Sequence, residues 1–334
     1  MTHKLSLRGR RFKAGGGALG AIMLAAATFA GASPVWAQAA TAMAMASADV
    51  THHTVKIGGI DIHYREAGPS DAPVLLLLHG FPTSSHMFRD LMPQLADKYH
   101  VIAPDYPGFG DSAQPALTEF DYSFDALAGV MAEFTQKLGA KDYYLYMQDF
   151  GGPVGFRLAV AHPERIRGLI IQNTTIHAEG WNPDIVKQFL PFWKDRNAET
   201  EAPIRGFLKP ETTKFQYTQG STRVDRLSPD AWTLDIAHLA RPGNDAIQLQ
   251  YLFNYQANLG QYPSWQSYLK TNQPPTLIVW GKNDPFFTMS GVDALKATLP
   301  KATVNIYDAG HFALETHGGE IAAAIREFLA KTAH

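Results

Sequence analysis

Residues 143–158 read YYLYMQDFGGPVGFRL. An apolar, aromatic-rich run of strand character breaks at Asp149, turns through Gly151 and Gly152, and continues with helical spacing. A strand that enters a tight turn and then a helix has the outline of a nucleophile elbow, with the tip residue forced out of the sheet. Small residues follow the tip because the backbone folds back too closely to leave room for a Cβ. The tip residue here is an aspartate.

The chain on either side alternates strand and helix signals. Val55–Ile57 and Ile60–Arg65 predict a hairpin turning at Gly58-Gly59. Val74–Leu78 is a continuous apolar run, as expected of a strand buried on both faces, and ends in His79-Gly80-Phe81-Pro82. Phe88–Leu95 has helical spacing, and His100–Ala103 predicts a strand before a Gly- and Pro-rich loop, residues 105–112. Phe124–Leu138 predicts a helix, and Ile166–Gln172 the strand after the elbow helix. From 174 to 273 the pattern changes: aromatics rise, helical spacing dominates and no buried strand stands out. Strand signals return at Pro275–Trp280 and Thr303–Tyr307, and Glu320–Lys331 predicts a closing helix. Alternation interrupted once by a helical block predicts an α/β protein, a mostly parallel central sheet carrying an inserted helical cap. The expected division is a core of 50–173 and 274–334 with the cap at 174–273.

Composition narrows the chemistry. The 334 residues are 46% hydrophobic and 18% charged, enough for one large core. A formal charge of -2 points away from nucleic acid and from acidic polymers as partners. The chain has no cysteine, which excludes disulfides, thiolate catalysis and zinc-thiolate sites. Its 13 histidines form no metal motif such as His-Glu-x-x-His, so no metal or other cofactor is expected.

The amino terminus has a different character. Lys4, Arg8, Arg10, Arg11 and Lys13 make a basic head, Ala18–Ala32 is an apolar run short for a membrane span, and Val35-Trp36-Ala37 offers a cleavage site. This predicts a signal peptide over residues 1–37, with Arg10-Arg11 resembling a loose twin-arginine signal, and export to the periplasm or beyond. Residues 38–49, rich in Ala, Met, Thr and Ser, read as a linker.

Three residues stand where parallel strands are expected to end, which is where open α/β sheets place their chemistry. Asp149 follows the elbow strand, Asp284 follows Thr276–Trp280, and His311 follows Thr303–Tyr307. The order nucleophile, acid, histidine is that of triads in the α/β-hydrolase fold. A carboxylate at an elbow attacks an electrophilic carbon and becomes an ester. A histidine oriented by a second carboxylate then activates water to cleave it. The oxyanion formed on the way needs backbone N–H donors, expected from Phe81 and Phe150. Serine chemistry would need Gly-x-Ser-x-Gly, and the chain contains none.

The segments HGFPTSSHMFRDLMPQLADKYHVIAPDYPGFGDS, MQDFGGPVGFRLAVAHPERIRGLIIQNT, TLIVWGKNDPF and DAGHFALET resemble the α/β-hydrolase branch of epoxide hydrolases and haloalkane dehalogenases. The resemblance implies a hydrolase acting on an apolar small molecule. Dehalogenases of this branch generally hold the leaving halide with a Trp after the nucleophile and an Asn after His-Gly. Here those positions are Phe150 and Phe81, which carry no side-chain N–H, and Phe150 replaces the Trp usual in both branches. Fluoroacetate dehalogenases carry arginines just after the nucleophile, and this chain has none there. Epoxide hydrolases usually have an aromatic after His-Gly, as Phe81 is, and tyrosines in the cap that protonate the epoxide oxygen. Leu252–Asn258 resembles the motif carrying the later of these, which gives Tyr255 that role; Tyr217, Gln188 and His177 are the candidates for a second cap donor. The resemblance therefore favours an epoxide hydrolase, with a haloalkane dehalogenase as the alternative, and a hydrolase-fold binding protein with little turnover as the reading from another class. Some relatives take the triad acid from the preceding strand; Asn173 stands at that place, so Asp284 is favoured.

Overall fold

The computed structural model describes residues 49–332; the expected signal peptide and all but the last residue of the linker lie outside them. Eight strands form one sheet in the order β1-β2-β4-β3-β5-β6-β7-β8. They are β1 Thr51–Ile57, β2 Ile60–Ala67, β3 Val74–Leu78, β4 His100–Pro104, β5 Tyr143–Gln148, β6 Ile166–Gln172, β7 Thr276–Gly281 and β8 Thr303–Tyr307. The β1–β2 hairpin pairs antiparallel to β4, and every other pairing is parallel.

The central strands follow from their sequence. Leu75 to Leu78 and all of β5 are buried on both faces. Each buried Leu, Ile or Val side chain contributes about 1.5–3 kcal/mol relative to an exposed one, so a mixed or alternating pattern could not hold the middle of this sheet as well. The edge strand β1 is mostly exposed, and only Ile57 is fully buried.

Helices cover the sheet. The main ones are α1 Met92–Leu95, α2 Phe124–Lys137, α3 Gly151–Ala161, α4 Pro183–Lys194, α5 Ala198–Ile204, α6 Pro210–Thr218, α7 Pro229–Leu239, α8 Asn244–Asn254, α9 Gln256–Asn272, α10 Met289–Thr298 and α11 Ala313–Thr332. Helices α4 to α9 fall between β6 and β7, where the sequence predicts a helical block. Among the described residues none is long and apolar enough to cross a membrane.

Two local expectations are adjusted. The helix expected over Phe88–Leu95 is split into a 3-10 turn at Ser85–Phe88 and the short α1, with Ser84 capping the first through its hydroxyl. The closing helix begins at Ala313 and runs through a kink at His317. Gly318 and Gly319 follow that kink, and glycine's freedom hides the continuation in the sequence.

Candidate active site

The carboxyl ends of the adjacent strands β3, β5, β6, β7 and β8 each deliver part of the site. Asp149 follows β5 directly and adopts φ 49°, in the left-handed region. Such a conformation costs a non-glycine residue roughly 1–2 kcal/mol, least for Asp and Asn. The turn is held by its own backbone: Asp149 O accepts from Gly152 N at 2.9 Å and from Thr174 Oγ1 at 2.9 Å. Neighbours crowd the turn as the sequence implies. A Cβ on Gly152 would collide with Thr174, one on Gly151 with the backbone of Leu78, and one on Gly80 with Asp149 itself.

The Asp149 carboxylate is not free to rotate. Phe81 N donates to its Oδ1 at 2.7 Å, and the Phe150 N–H also points at it. The two backbone donors expected for an oxyanion therefore converge on one carboxylate.

His311 is fully buried. Its Nδ1 donates to Asp284 Oδ2 at 2.8 Å, which leaves Nε2 as the acceptor for Gln148 Nε2 at 2.8 Å. The opposite oxygen of Asp284 accepts from Phe286 N at 2.7 Å and Phe287 N at 3.2 Å. Asn173, the residue after β6, donates to Asp284 Oδ2 at 2.7 Å and to Gly281 O at 3.2 Å, and its Oδ1 accepts from Gly281 N at 2.9 Å. Sequence reasoning passes over Asn173 as a non-acid. In the structure it braces the acid, and only the lateral pairing of β6 with β7 brings the two together.

Asp149 and His311 open into one chamber with about 50 Å³ of free space. That is room for only a few water-sized groups. Its walls are largely aromatic: Phe81, Phe150, Trp181, Phe189, Phe286 and Phe287 among them.

A family model described as the alpha/beta hydrolase fold matches residues 73–318. The chain belongs to the α/β-hydrolase superfamily. Within it, this hydrolase falls in the branch that holds haloalkane dehalogenases and epoxide hydrolases. It is 38% identical over 283 residues to an uncharacterized hydrolase of Saccharomyces cerevisiae, spanning 84% of this chain and 97% of that one. It is 30% identical over 279 residues to haloalkane dehalogenase 2 of Mycobacterium tuberculosis, covering 80% of this chain and 90% of that one. The solved structure of the epoxide hydrolase CorEH shares the fold, with a TM-score of 0.69 at 22% identity over 85% of this chain and 99% of that one.

Electrostatics in this hydrolase set the two chamber groups apart. Burial raises the Asp149 pKa from its ordinary value, and the His311 charge and the Phe81 and Phe150 N–H groups only partly oppose it. Burial alone would lower His311, but the charge and hydrogen bond of Asp284 and the charge of Asp149 outweigh it and raise it.

Tyr255 lines the chamber, and its buried hydroxyl makes no well-formed hydrogen bond, its contact with the Tyr262 hydroxyl being a weak one. Burial lifts its pKa well above the usual phenol range, with the Tyr262 and Asp149 charges adding to the effect. It therefore stays a neutral O–H. The other three cap candidates stand elsewhere. The Tyr217 hydroxyl donates to Asp235 Oδ2 at 2.5 Å and its ring stacks on Phe312 at 4.1 Å. Gln188 is exposed on α4 beside a separate surface cleft. His177 is buried with its Nε2 3.4 Å from Thr298 Oγ1. The residue the sequence reading missed is Gln216, which lines the chamber one position before Tyr217. One residue is about 100° of helix rotation, so neighbours on α6 face different ways.

Among the described residues one group, His63, Asp105 and Asp111, brings metal-type ligand atoms within 4.8 Å of one another. The Asp105 carboxylate there already accepts from Ser85 N at 2.6 Å and Asp111 N at 2.9 Å, and pairs with His63 Nδ1 at 2.9 Å. It braces the loop after β4.

Proposed function

We propose that this hydrolase opens a small apolar epoxide to a diol through an ester on Asp149. The observation that carries the reading is the pairing, in one small aromatic chamber, of the elbow carboxylate with the buried, weakly bonded Tyr255 hydroxyl. In the first step an Asp149 oxygen bonds to an epoxide carbon, the carbon–oxygen bond of the ring breaks, and the departing oxygen takes the Tyr255 proton. In the second, the Gln148 amide gives up its bond to His311 Nε2, which takes a proton from water, and the hydroxide adds to the carbonyl carbon of the ester. The resulting oxyanion is held by Phe81 N and Phe150 N. Collapse breaks the bond between the carbonyl carbon and the diol oxygen, that oxygen takes the His311 proton, and the proton of the new Asp149 carboxyl group returns to Tyr255, which restores the enzyme. The sum is epoxide plus water giving diol.

The dehalogenase reading has one observation in its favour, the 30% identity to haloalkane dehalogenase 2. Against it, Phe81 and Phe150 flank the carboxylate without side-chain donors. Trp181 Nε1, which also lines the chamber, is 2.9 Å from Tyr262 Oη and donates to it. A halide leaving beside Phe81 and Phe150 meets no side-chain N–H at those two positions and gains little stabilisation there.

Substrates of matched size separate the two. With 1,2-epoxybutane the protein is expected to form butane-1,2-diol; with 1-bromobutane it is expected to release little bromide. Bromide release without diol formation would reverse the assignment.

A further inference from the structure

The chamber holds few polar atoms. Those of Asp149 and His311 serve the nucleophile and the base. The indole N–H of Trp181 is used by Tyr262, and that of Trp193 by Leu252 O at 2.9 Å. Two side-chain donors remain, Tyr255 Oη and Gln216 Nε2; Gln216 Nε2 has no hydrogen-bond partner, and Tyr255 Oη has only a poorly formed contact with Tyr262. Both residues are deeply buried, Tyr255 2% and Gln216 3% exposed. A buried donor left unpaired costs about 1–3 kcal/mol, so two of them facing one chamber point to a ligand atom that both satisfy.

We infer that Gln216 is a catalytic residue: its carboxamide N–H and the Tyr255 hydroxyl together hold the oxygen that leaves carbon when Asp149 attacks. The inference rests on the epoxide reading. It gives the two cap groups different tasks. Tyr255 supplies the proton. Gln216 donates without transferring one, and its amide keeps the N–H at every working pH. A neutral donor also avoids placing a second carboxylate near Asp149, as a glutamate would.

The fold holds Gln216 in place for this. The next residue, Tyr217, ties α6 to α7 through Asp235 and to the core through its stack on Phe312, which adjoins His311 in the chain. The sequence reading counts Tyr217 among three candidates for a second cap donor; in the structure its hydroxyl donates to Asp235 and its ring stacks on Phe312. The substrate class sharpens accordingly. A neutral oxygen that becomes an alkoxide while bonded to the same carbon skeleton can use an O–H and an N–H at once.

The test follows the two steps separately, by rapid quench and mass analysis of the protein with 1,2-epoxybutane. The variants are Gln216→Met, which keeps the side-chain length, and Gln216→Leu, a second way of removing the donor should one replacement disturb the fold. Ester formation is expected to fall by about 10²-fold, the usual loss for one preorganised donor, with cleavage of the ester within about twofold of wild type. Ester formation at the wild-type rate in both variants, or an equal fall in both steps, overturns the role of Gln216 while leaving the epoxide reading intact. Wild-type protein that forms no diol but releases bromide from 1-bromobutane overturns the epoxide reading itself, and the Gln216 role with it.

Discussion

Replacing Asn173 by alanine is expected to slow cleavage of the ester far more than its formation. Asn173 makes three hydrogen bonds, at 2.7 Å to Asp284 and at 3.2 and 2.9 Å to the backbone of Gly281. The first goes to a charged group, a type worth about 1.5–3 kcal/mol. Losing the others leaves the buried Gly281 N–H unpaired, at about 1–3 kcal/mol. Asn173 also sits at φ 39°, where alanine is strained by roughly a further 1 kcal/mol. The sum is on the order of 3.5–7 kcal/mol of stability, readable from the urea midpoint, and large beside the typical ~5–15 kcal/mol total. The catalytic share is smaller. Asp284 keeps the Phe286 and Phe287 N–H groups on its other oxygen, so it stays in place but turns more freely. If the charged hydrogen bond is fully expressed in the transition state for ester cleavage, its loss costs about 10–100-fold. Ester formation does not use His311 as a base and is expected to change little. Rapid-quench measurement of both steps decides the matter: equal slowing, or no slowing of cleavage in folded protein, refutes the bracing role. Asn173→Asp gives an independent check, because it tolerates the backbone conformation but puts a second carboxylate against Asp284. One of the two then holds a proton at higher pH than usual, and the pH profile of ester cleavage shifts.

Other outcomes follow from the same geometry. His311→Gln is expected to stop the cycle after the first step, so that intact-protein mass spectrometry finds the added mass of one substrate on Asp149, with the second step slowed about 10²–10⁴-fold. Ester cleavage in the wild type is expected to rise with pH as His311 loses its proton, because His311 acts as a base only when neutral; in the ester Asp149 carries no charge, so Asp284 alone opposes the effect of burial on His311; a profile that falls as pH rises contradicts it. Asp149 has its folded pKa raised above the ordinary 3.8, chiefly by burial, so its contribution to stability is present below that value and lost as pH climbs through the folded one. Asp149→Asn, which also tolerates φ 49°, is therefore expected to raise the melting temperature at pH 7 by the equivalent of about 1 kcal/mol and to lose that advantage in acid. Phe150→Trp brings an indole N–H next to the carboxylate and is expected to increase bromide release from 1-bromobutane, while crowding Phe124 at 4.9 Å and Phe81 at 5.7 Å costs about 1–3 kcal/mol in stability.

The sheet was legible because its strands are written in local signals. Val74–Leu78, Ile166–Gln172 and Thr303–Tyr307 begin and end where their apolar runs and turn residues do. The elbow was legible for the same reason: its strand, turn and helix are contiguous, and the left-handed turn leaves its mark in the following glycines. Asp284 and His311 could be placed because each lies a few residues beyond such a strand. Gln216, Tyr217 and Asn173 were not legible as to role. Which of two neighbours on α6 faces the chamber depends on the rotation of a helix whose sides differ little in polarity. Asn173 acts only through the lateral pairing of β6 with β7, which no local pattern encodes. A preference for tyrosine as a proton donor drew attention to Tyr217 and away from the amide beside it.

The groups that meet the substrate and those that meet water come from different stretches of chain. Gln216 and Tyr255 belong to the segment between β6 and β7, whereas Asn173, Asp284 and His311 stand at the ends of β6, β7 and β8. In the proposed reaction Asp149, with the Phe81 and Phe150 N–H groups that hold it, takes part in both. Drift in the inserted segment can therefore alter which bond is broken without rewriting the apparatus that regenerates the enzyme. A lineage built this way changes its chemistry by replacing one side of a chamber, and an engineer who wants a new leaving group has about a hundred residues to vary before touching the sheet.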